Sequence, residues 1–320
     1  MKAAVLHELG KPPRAEDFAE PEARQGEALI RVRGASLKAV DKQLASGSHY
    51  ASPREFPVIC GTDGVGDLAD GTRVFFGGPR RPFGAMAQRT VAPAAFCFPV
   101  PDVLDDATAA ALPNPGVSAL LSLNHRAKVA KDETVLILGA TGVTGKLAVQ
   151  IAKLLGAGRV TAAGRNVQVL EKLRQLGADA TIQLNQPDDD LKRDFAREAG
   201  QAGFNVVIDY VWGRPTEALL AAITRPEFAV TNPETRLVQV GESAGPTIAL
   251  PAAVLRSTAL TILGTAGIPA RDVLVAAMRQ VLEWGANGVL QIETESVPLS
   301  EIEQAWQRLE TAGRRLVVIP

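Results

Sequence analysis

The most regular spacing of apolar and polar positions lies in the middle of the chain. Thr134–Leu138 is a short apolar run that predicts a buried strand. Apolar residues then recur at spacings of three and four, which predicts an amphipathic helix that ends at Gly156. Arg159–Ala163 is a second β-prone run. The order of these segments predicts a strand–helix–strand unit.

Three glycines separate the predicted strand from the predicted helix, in the spacing G-x-x-G-x-x-G. Gly139, Gly142 and Gly145 allow a tight turn, a close approach of the backbone to a pyrophosphate, and close helix–strand packing. The helix N-terminus adds unpaired N–H groups and the positive end of the helix dipole. The pattern predicts dinucleotide binding, and the alternative is a turn without a ligand. The predicted phosphate-binding residues are Thr141, Gly142, Val143 and Thr144.

The end of the second strand indicates which dinucleotide binds. NAD-binding folds commonly place an acid there, about 20 residues after the glycines, to bind the ribose 2′-hydroxyl. This chain has Gly164, Arg165 and Asn166, and an arginine can bind a 2′-phosphate that an acid would repel. We therefore predict NADPH as the cofactor, bound in part by these three residues. The alternative is that Arg165 is a solvated residue in the first turn of the next helix.

Strands and helices continue to alternate up to residue 264, which predicts a parallel sheet with helices on both faces. The predicted strands are Asp179–Leu184, Asn205–Asp209, Arg236–Val240 and Ala259–Gly264. The predicted helices are Arg165–Leu176, Leu191–Ala199 and Pro215–Ile223, and the PDDD segment at 187–190 is predicted to be a loop. Ligands of such sheets bind at the carboxyl ends of the strands. Further predicted cofactor-binding residues at these ends are Tyr210, Val240, Gly241, Gly264 and Thr265.

The first hundred residues have a different pattern, with many short β-prone runs broken by glycine and proline. They predict a compact barrel-like or folded-sheet domain. Its predicted strands are Lys2–Leu6, Ala28–Gly34, Phe56–Asp67, Thr72–Phe76, Met86–Val91 and Ala95–Val100. The helices predicted next are Asp105–Leu112 and, after an interruption at Pro113–Gly116, Val117–Lys128. The elements predicted to return to the first domain are Arg271–Gly285, Ile292–Val297, Ser300–Leu309 and Arg315–Ile319.

Composition and charge narrow the class of protein. A length of 320 residues suggests two domains, and an apolar fraction of 46% is usual for a globular protein. The net charge of −1 gives no reason to expect nucleic acid or an anionic membrane as a partner. Cys60 and Cys97 are too few for a disulfide framework and fit a reducing cytosol. The N-terminus lacks the pattern of a signal peptide and no apolar run has membrane-spanning length, so we expect a cytoplasmic protein.

Several segments, in one order, resemble a known family. They are MKAAVLHELG at the start, FPVICGTDGVGDL at 56–68, ETVLILGATGVTGKLAVQIAKLLGA at 133–157 and GRRLVVIP at the end. The chain resembles the zinc-free medium-chain dehydrogenase/reductases of the quinone oxidoreductase-like branch. The resemblance implies an α/β fold, with a Rossmann doubly wound parallel sheet domain at 115–265 and a β-rich GroES-like catalytic domain formed by 1–114 and 266–320. It also implies a homodimer that pairs through the last Rossmann strand, near Ala259–Thr265.

The resemblance allows zinc to be judged residue by residue. Zinc-dependent relatives place Cys, His and Glu where this chain has Lys38, Thr62 and Asp63. The structural zinc lobe of such relatives needs four clustered cysteines, and this chain has two cysteines in all. The three histidines, His7, His49 and His125, have no ligand spacing. We therefore expect no metal site.

Without a metal, the chemistry depends on the nicotinamide, which carries out hydride transfer. The resemblance implies reduction of a quinone or an α,β-unsaturated carbonyl, in which a hydrogen-bond donor stabilises charge on the carbonyl oxygen. Tyr50 corresponds to a family tyrosine that lines the substrate cleft, and Lys38 stands where the family commonly has Asn. Both are candidate catalytic donors. Tyr50 could instead be structural, and Lys38 could instead pair with Asp41 or point to solvent.

The segment PNPGVSAL adds two cofactor-binding candidates by the same resemblance. Asn114 and Ser118 lie where relatives approach the nicotinamide and its phosphates, although Ser118 could instead cap a helix. The resulting prediction is an NADPH-dependent oxidoreductase that reduces a small quinone, enone or enal. The alternative is a non-catalytic NADPH-binding sensor or scaffold of the same fold. Alcohol dehydrogenation is disfavoured by the missing zinc ligands.

Overall fold

The computed structural model describes residues 1–224, 234–265, 267, 269–308 and 313–320. The strands are β1 Lys2–Leu6, β2 Arg14–Asp17, β3 Glu27–Leu37, β4 Val58–Ile59, β5 Asp63–Asp67, β6 Arg73–Gly77, β7 Arg89–Pro93, β8 Cys97–Pro99, β9 Thr134–Leu138, β10 Arg159–Gly164, β11 Ala180–Gln183, β12 Val206–Asp209, β13 Glu234–Gln239, β14 Ala259–Gly264, β15 Glu293–Pro298 and β16 Arg314–Ile319. The α-helices are α1 Ala39–Ser46, α2 Asp106–Ala111, α3 Pro113–Leu120, α4 Val143–Leu154, α5 Val167–Gln175, α6 Asp188–Ala199, α7 Gly213–Ile223, α8 Ala252–Ser257, α9 Arg271–Ala286 and α10 Ile302–Gln307. The remaining helical segments are 3₁₀ turns at Ala94–Phe96 and Leu299–Glu301 and a π-helical stretch at Leu121–Arg126.

The chain divides into two compact units. The first unit consists of Met1–Asn114 and Met278–Pro320, and the second of Pro115–Ala277. The domain boundaries predicted from the sequence, at 114/115 and 265/266, stay a proposal, and residue 266 itself lies outside the described part of the chain.

The second unit is built on a six-stranded sheet in the order β11-β10-β9-β12-β13-β14. All neighbouring strands in it run parallel. Strand order reverses between β9 and β12, and such a switch point opens a crevice at the carboxyl ends of the strands. Leu136, Leu138 and Val207 on the strands pack with Phe195 and Phe204 in the core. The predicted Rossmann doubly wound sheet is therefore confirmed.

The first unit contains two further sheets. A three-stranded sheet has the order β2-β1-β4, and a seven-stranded sheet runs β15-β16-β3-β5-β6-β8, with β7 paired to β3. Pairing around β3 is antiparallel, with an irregular register between Val32 and Gly34 that bends the strand. Ile30, Phe76 and Val318 are buried at its centre. The α/β fold class, with a separate β-rich part, is confirmed.

The helix at 188–199 corrects a prediction. The PDDD segment at 187–190 was predicted to be a loop, but α6 begins at Asp188. Asp188, Asp189 and Asp190 occupy its first turn, where negative charge is stabilised by the positive end of the helix dipole. The density of charge suggested a solvated loop, whereas the position of the charge favours a helix start.

The N-terminal half contains a second correction and two elements that the pattern did not predict. Pro113–Gly116 does not interrupt the helical region, because α3 begins at Pro113, where the fixed φ of proline suits a first helical position. The elements that were not predicted are α1 and β2. Half of the α1 sequence AVDKQLAS is polar and the segment is short, so it carries little apolar periodicity.

Two further observations concern the helices. The predicted helix at 300–309 is observed as a 3₁₀ turn followed by α10, and its last residue, Leu309, lies outside the described part. Within the described residues, no helix has the length and apolar character that crossing a membrane requires.

Candidate functional site

The glycine-rich turn after β9 forms the N-terminal end of α4. Gly139 adopts a φ of 86°, in the left-handed region that favours glycine. The backbone N–H groups of Gly139 and Ala140 both donate to the carbonyl of Ala163, which ties the turn to β10. Gly142 is the N-cap of α4, and no side chain caps the helix there. Its first N–H groups are therefore left for an anion such as a phosphate.

Two glycines make the close contacts of this region possible. A Cβ on Gly145 would lie 2.3 Å from the carbonyl oxygen of Gly139, so the helix could not pack this closely on the turn. A Cβ on Gly164 would lie 2.4 Å from Cγ2 of Thr141, so the end of β10 directly adjoins the turn. The structure thus brings Thr141, Gly142 and Gly164 together, as the sequence predicts for a dinucleotide cradle.

Tyr210 follows β12 and lies against the same turn. A Cβ on Gly139 would lie 3.1 Å from Cβ of Tyr210, and one on Gly241 would lie 2.7 Å from the Tyr210 carbonyl oxygen. The Tyr210 hydroxyl is buried and has no hydrogen-bond partner among the described residues. Burial raises the pKa of the Tyr210 phenol, so the group remains a neutral donor. A buried hydroxyl without a partner fits a bound ligand, and the backbone and Cβ of the same residue adjoin the glycines.

Asp209 holds the turn that carries Tyr210. Its carboxylate accepts hydrogen bonds from the backbone N–H groups of Val211 and Trp212, both at 2.8 Å, and from the hydroxyl of Thr216. Burial raises the pKa of Asp209, and these donors oppose the rise. The backbone N–H groups of Val240 and Gly241 both donate to the Asp209 carbonyl, at 2.8 and 3.1 Å. Tyr210, Val240 and Gly241 therefore meet at the carboxyl ends of β12 and β13.

The next predicted cofactor-binding residues are those that follow β10 and β14. Arg165 is exposed and lies before α5, so it is not a residue of that helix's first turn. Asn166 is the N-cap of α5 and accepts from the backbone N–H of Val169 at 3.1 Å. The carbonyl of Gly264 accepts from Nε of Arg126 at 2.8 Å, and Thr265 is exposed. Binding of the cofactor by these residues stays a prediction.

In the first unit, Lys38 is buried, with 4% of its surface exposed. Its Nζ lies 2.9 Å from Oδ1 of Asp63 and 3.3 Å from Oδ2 of Asp41. It also donates to the carbonyl of Ser36 at 3.1 Å. Burial disfavours the ammonium, but Asp41 and Asp63 outweigh that effect and raise the pKa of Lys38. Of the interactions considered for Lys38, the structure contains the pair with Asp41 and does not direct the side chain to solvent.

The same network reaches Asn114. Nδ2 of Asn114 donates to Oδ2 of Asp63 at 2.9 Å, and the hydroxyl of Thr62 donates to that oxygen at 3.4 Å. Ser118 lies inside α3 and does not cap its start. The roles of Asn114 and Ser118 at the cofactor stay predictions, as does direct donation from Lys38 to a substrate.

Tyr50 lies on the loop after α1 and is 96% exposed. Its ring lies 4.2 Å from that of His49, centroid to centroid, and Nδ1 of His49 accepts from the backbone N–H of Ala51 at 3.1 Å. The ring of Tyr50 is therefore largely exposed apart from its contact with His49, and this exposure leaves the side chain accessible to a substrate. Its catalytic role stays a prediction.

A cavity of about 170 Å³ lies in the first unit beside this loop. Its lining includes the apolar side chains of Leu44 and Phe83 and the polar or charged side chains of Asp41, Thr62 and Arg81. Arg81 also donates to the carbonyl of Ala51, which joins the cavity wall to the loop that carries Tyr50. Such a cavity suits a small ligand with both an apolar part and a polar group.

Comparison with known proteins identifies the family of this chain. A family model described as "Zinc-binding dehydrogenase" matches residues 143–287. Quinone oxidoreductase-like protein 2 of Bos taurus is 27% identical over 274 residues, which cover 82% of this chain and 74% of that protein. The quinone oxidoreductase from Thermus thermophilus, whose structure was solved also in complex with NADPH, has a TM-score of 0.81 and 28% identity, covering 100% of both chains. The chain belongs to the medium-chain dehydrogenase/reductase family.

This dehydrogenase/reductase is a quinone oxidoreductase-like member, as the sequence predicts. A further relative, the chloroplastic NADPH-dependent alkenal/one oxidoreductase of Arabidopsis thaliana, is 30% identical over 229 residues. That alignment covers 65% of this chain and 58% of the relative. The family makes the chain an oxidoreductase.

The description of the matching family names zinc, which the donor chemistry of this dehydrogenase/reductase does not fit. The resemblance implies that Lys38, Thr62 and Asp63 stand at the positions of the zinc ligands of zinc-dependent relatives. A protonated lysine has no lone pair, and zinc sites use Cys, His and carboxylate ligands. Asp63 is already paired with the ammonium. In the part of the chain that the structure describes, no three His, Cys, Asp or Glu side chains are grouped to hold a metal.

Lys38, Asp63 and Asn114 form one network that the sequence did not predict, although each residue stands out in the sequence on its own. A usable signal was present, because a charged residue within an apolar run requires an opposite charge if the run is buried. Lys38 follows the apolar end of β3, and Asp63 opens the wholly buried β5. The sequence did not determine which of Asp41, Asp63 and Asp67 would meet the lysine, because separation along the chain does not say which of them the fold brings next to it.

Proposed function

We propose that this protein is an NADPH-dependent oxidoreductase that transfers hydride to a quinone or an α,β-unsaturated carbonyl without a metal. The observation that carries the proposal is the glycine-lined carboxyl end of the parallel sheet, with the uncapped start of α4 and Arg165 beside it. NADPH, when bound, supplies the hydride. The family names and the NADPH complex of the Thermus relative support the same choice of cofactor.

The chain's own residues have three tasks in this proposal. The N–H groups at the start of α4 bind the phosphates, and Arg165 binds the 2′-phosphate that distinguishes NADPH from NADH. Tyr210 donates its unpaired hydroxyl to the bound cofactor. Tyr50 donates a hydrogen bond to the carbonyl oxygen of the acceptor, where negative charge develops as hydride is accepted.

The cavity of the first unit supports an acceptor with a short apolar body. Its lining by Leu44 and Phe83 favours carbon chains or rings, and Arg81 can meet an oxygen. Burial of each methylene contributes about 0.8 kcal/mol, so longer members of a homologous enone series should bind more tightly until the cavity is filled.

The test is oxidation of NADPH by the purified protein with a quinone, an alk-2-enal and a vinyl ketone, each at several concentrations. A saturated aldehyde of the same chain length is the matched control, because it lacks the activated alkene. Saturable oxidation with one of the first three and none with the control supports the proposal. Tight NADPH binding with no turnover on any acceptor would instead establish the non-catalytic alternative.

The two tyrosines of this chain offer a paired prediction. Tyr50→Phe is expected to lower kcat about 100-fold, the usual size of a lost proton donor, and to leave the Kd for NADPH and the thermal stability unchanged. Tyr210→Phe is the matched control and should raise the Kd for NADPH severalfold without a comparable fall in kcat. Steady-state kinetics and nicotinamide fluorescence measure both. If Tyr50→Phe keeps its full kcat, the proton and the hydrogen bond come from elsewhere.

We also propose a cytoplasmic homodimer that pairs through β14. This strand is the edge of the six-stranded sheet, and its residues are all partly or fully exposed. Thr261→Lys places a charge on that edge and should convert a dimer to a monomer in sedimentation equilibrium. Gln183→Lys makes the same change on β11, the opposite edge, and should leave the dimer intact. Equal behaviour of the two variants would exclude β14 as the interface.

A further inference from the structure

The cavity of the first unit has two charged side chains of opposite sign in its lining, Asp41 and Arg81. Apolar side chains such as Leu44 and Phe83 lie in the same lining. Cys60 also lines the cavity, and burial raises the pKa of its thiol, so the group stays neutral. The net charge that a ligand meets therefore depends on how Asp41 and Arg81 are each compensated by the protein.

The charge of Asp41 is compensated within the fold. Its side chain is buried, and Nζ of Lys38 lies 3.3 Å from Oδ2. The same Oδ2 accepts from the backbone N–H of Lys38 at 2.8 Å, and Oδ1 accepts from the backbone N–H of Thr62 at 3.2 Å. Both carboxylate oxygens are thus occupied, and an ammonium opposes their charge. Asp41 therefore adds no uncompensated negative charge to the cavity.

The charge of Arg81 has no such partner. No carboxylate of the described ranges forms an ion pair with it, and its side chain makes one hydrogen bond there, from Nη2 to the carbonyl of Ala51. A guanidinium has five N–H donors and stays protonated, so donors remain for a ligand. The backbone beside it is fixed, because the carbonyl of Pro82 accepts from the N–H of Ile59 at 2.8 Å. Arg81 thus leaves the cavity with one uncompensated positive charge.

The neighbouring arginine has a different environment. Nε of Arg80 donates to the carboxylate of Glu27 at 2.7 Å, and its guanidinium lies 5.6 Å from the centroid of the Phe83 ring. The cavity lining contains Arg81 and not Arg80. Of two consecutive arginines, one is therefore tied to the fold by its own carboxylate, and the other keeps its charge at the cavity. Because Arg81 is also exposed, it stands at the opening rather than at the closed end.

The size and charge of the cavity indicate which anion fits it. A planar guanidinium binds a carboxylate through two parallel hydrogen bonds. One positive charge matches the single charge of a carboxylate, whereas a phosphate ester would leave part of its charge uncompensated. A volume of about 170 Å³ corresponds to roughly six non-hydrogen atoms, at ~30 Å³ for each water molecule of the liquid. The ligand expected is a short carbon body with a carboxylate at the cavity opening.

We propose that the acceptor of this protein is a short enone or enal that also carries a carboxylate, and that Arg81 binds this carboxylate at the cavity of the first unit. The inference rests on the proposed function and deepens it by naming the class of acceptor. In the reaction, the acceptor gains a hydride at the carbon β to its carbonyl and a proton at the α carbon, while NADPH is oxidised to NADP⁺. The carboxylate is unchanged and serves only for binding.

Two acceptors of nearly equal size and shape test this specificity. They are 4-oxohex-5-enoate, a vinyl ketone with a carboxylate, and its neutral amide, 4-oxohex-5-enamide. A hydrogen bond to a charged group is stronger than one to a neutral group, so kcat/KM should be about tenfold higher for the carboxylate. The difference is expected in KM, because the carboxylate does not react. Added salt should reduce the ratio of the two kcat/KM values, because it screens the exposed guanidinium.

Three variants separate the charge of Arg81 from its structural contact with Ala51. Arg81→Gln should bring the ratio close to one, and Arg81→Lys should keep a severalfold preference. Arg54→Gln is the matched control, because Arg54 is exposed on the same loop as Ala51 but does not line the cavity. It should leave the ratio unchanged. If Arg81 served only to hold the loop, Arg81→Gln would lower kcat/KM for both acceptors and leave their ratio as in the wild type.

The experiment combines steady-state kinetics of these four proteins with calorimetric titration of 4-oxohexanoate and 4-oxohexanamide, saturated ligands that bind without turnover. The titrations are made with and without NADP⁺. A carboxylate preference in the wild type and Arg54→Gln that is lost in Arg81→Gln supports the proposal. Equal affinity of the wild type for both saturated ligands, or a preference that survives Arg81→Gln, overturns it. Selective binding of 4-oxohexanoate without turnover of any acceptor would overturn the proposed function and leave the carboxylate site established.

Discussion

Gly145→Ala is expected to abolish NADPH binding and to destabilise the second unit. The added Cβ would lie 2.3 Å from the Gly139 carbonyl oxygen and 2.6 Å from Cα of Ala140. Both are backbone atoms, and the turn cannot retreat because its N–H groups are bonded to the Ala163 carbonyl at 2.9 Å. The start of α4 must move away from β9, which displaces the N–H groups that bind the phosphates. Overpacking of this kind costs about 1–3 kcal/mol of stability.

Gly142→Ala is the matched control in the same turn. Its Cβ would have one neighbour within 4 Å, the Gly139 carbonyl oxygen at 3.4 Å, and its φ of −78° suits any residue. The loss of stability should be at most about 1 kcal/mol, as for other changes at an N-cap. Thermal unfolding of both variants measures the loss of stability, and titration with NADPH measures the loss of cofactor binding. Wild-type values for Gly145→Ala would mean that α4 can start elsewhere without loss of function.

Arg165→Glu is expected to weaken NADPH about 100-fold while NADH binding changes little. A hydrogen bond to a charged group contributes about 1.5–3 kcal/mol, and the introduced carboxylate would also repel the 2′-phosphate. NADH has a hydroxyl in that place, so it neither loses the contact nor meets the repulsion. Titration with each dinucleotide at one ionic strength measures the preference directly.

Arg174→Glu provides the control for this change of charge. Arg174 lies in the last turn of α5, and its Nη2 donates to the hydroxyl of Thr181 at 3.0 Å. The same two-unit change in charge there should leave the ratio of the two Kd values unaltered. If Arg165→Glu weakens both dinucleotides equally, or neither, Arg165 is an ordinary surface residue and the NADPH preference has another source.

Local patterns along the chain were sufficient for most of the second unit. Apolar periodicity located β9, α4 and β10, and the glycine spacing located the turn between them, because each of these signals depends on residues a few positions apart. Ala259–Gly264 was predicted with the bounds that the structure has. The loop predicted at 187–190 was wrong, because its clustered charges lie in the first turn of α6. Helix α1 was not predicted, because its apolar periodicity is weak.

The sequence by itself thus determined the parallel sheet, the glycine cradle and the absence of an acid after β10. Only the tertiary structure decided which distant polar groups meet. Lys38 and Asp63 are separated by 25 residues, and Asp63 and Asn114 by 51, yet these three side chains form one hydrogen-bonded network. The physical reason is that a buried charge requires a partner, but the charge by itself does not specify which residue the partner is. The folding of β3, β5 and the start of α3 brings the partners together.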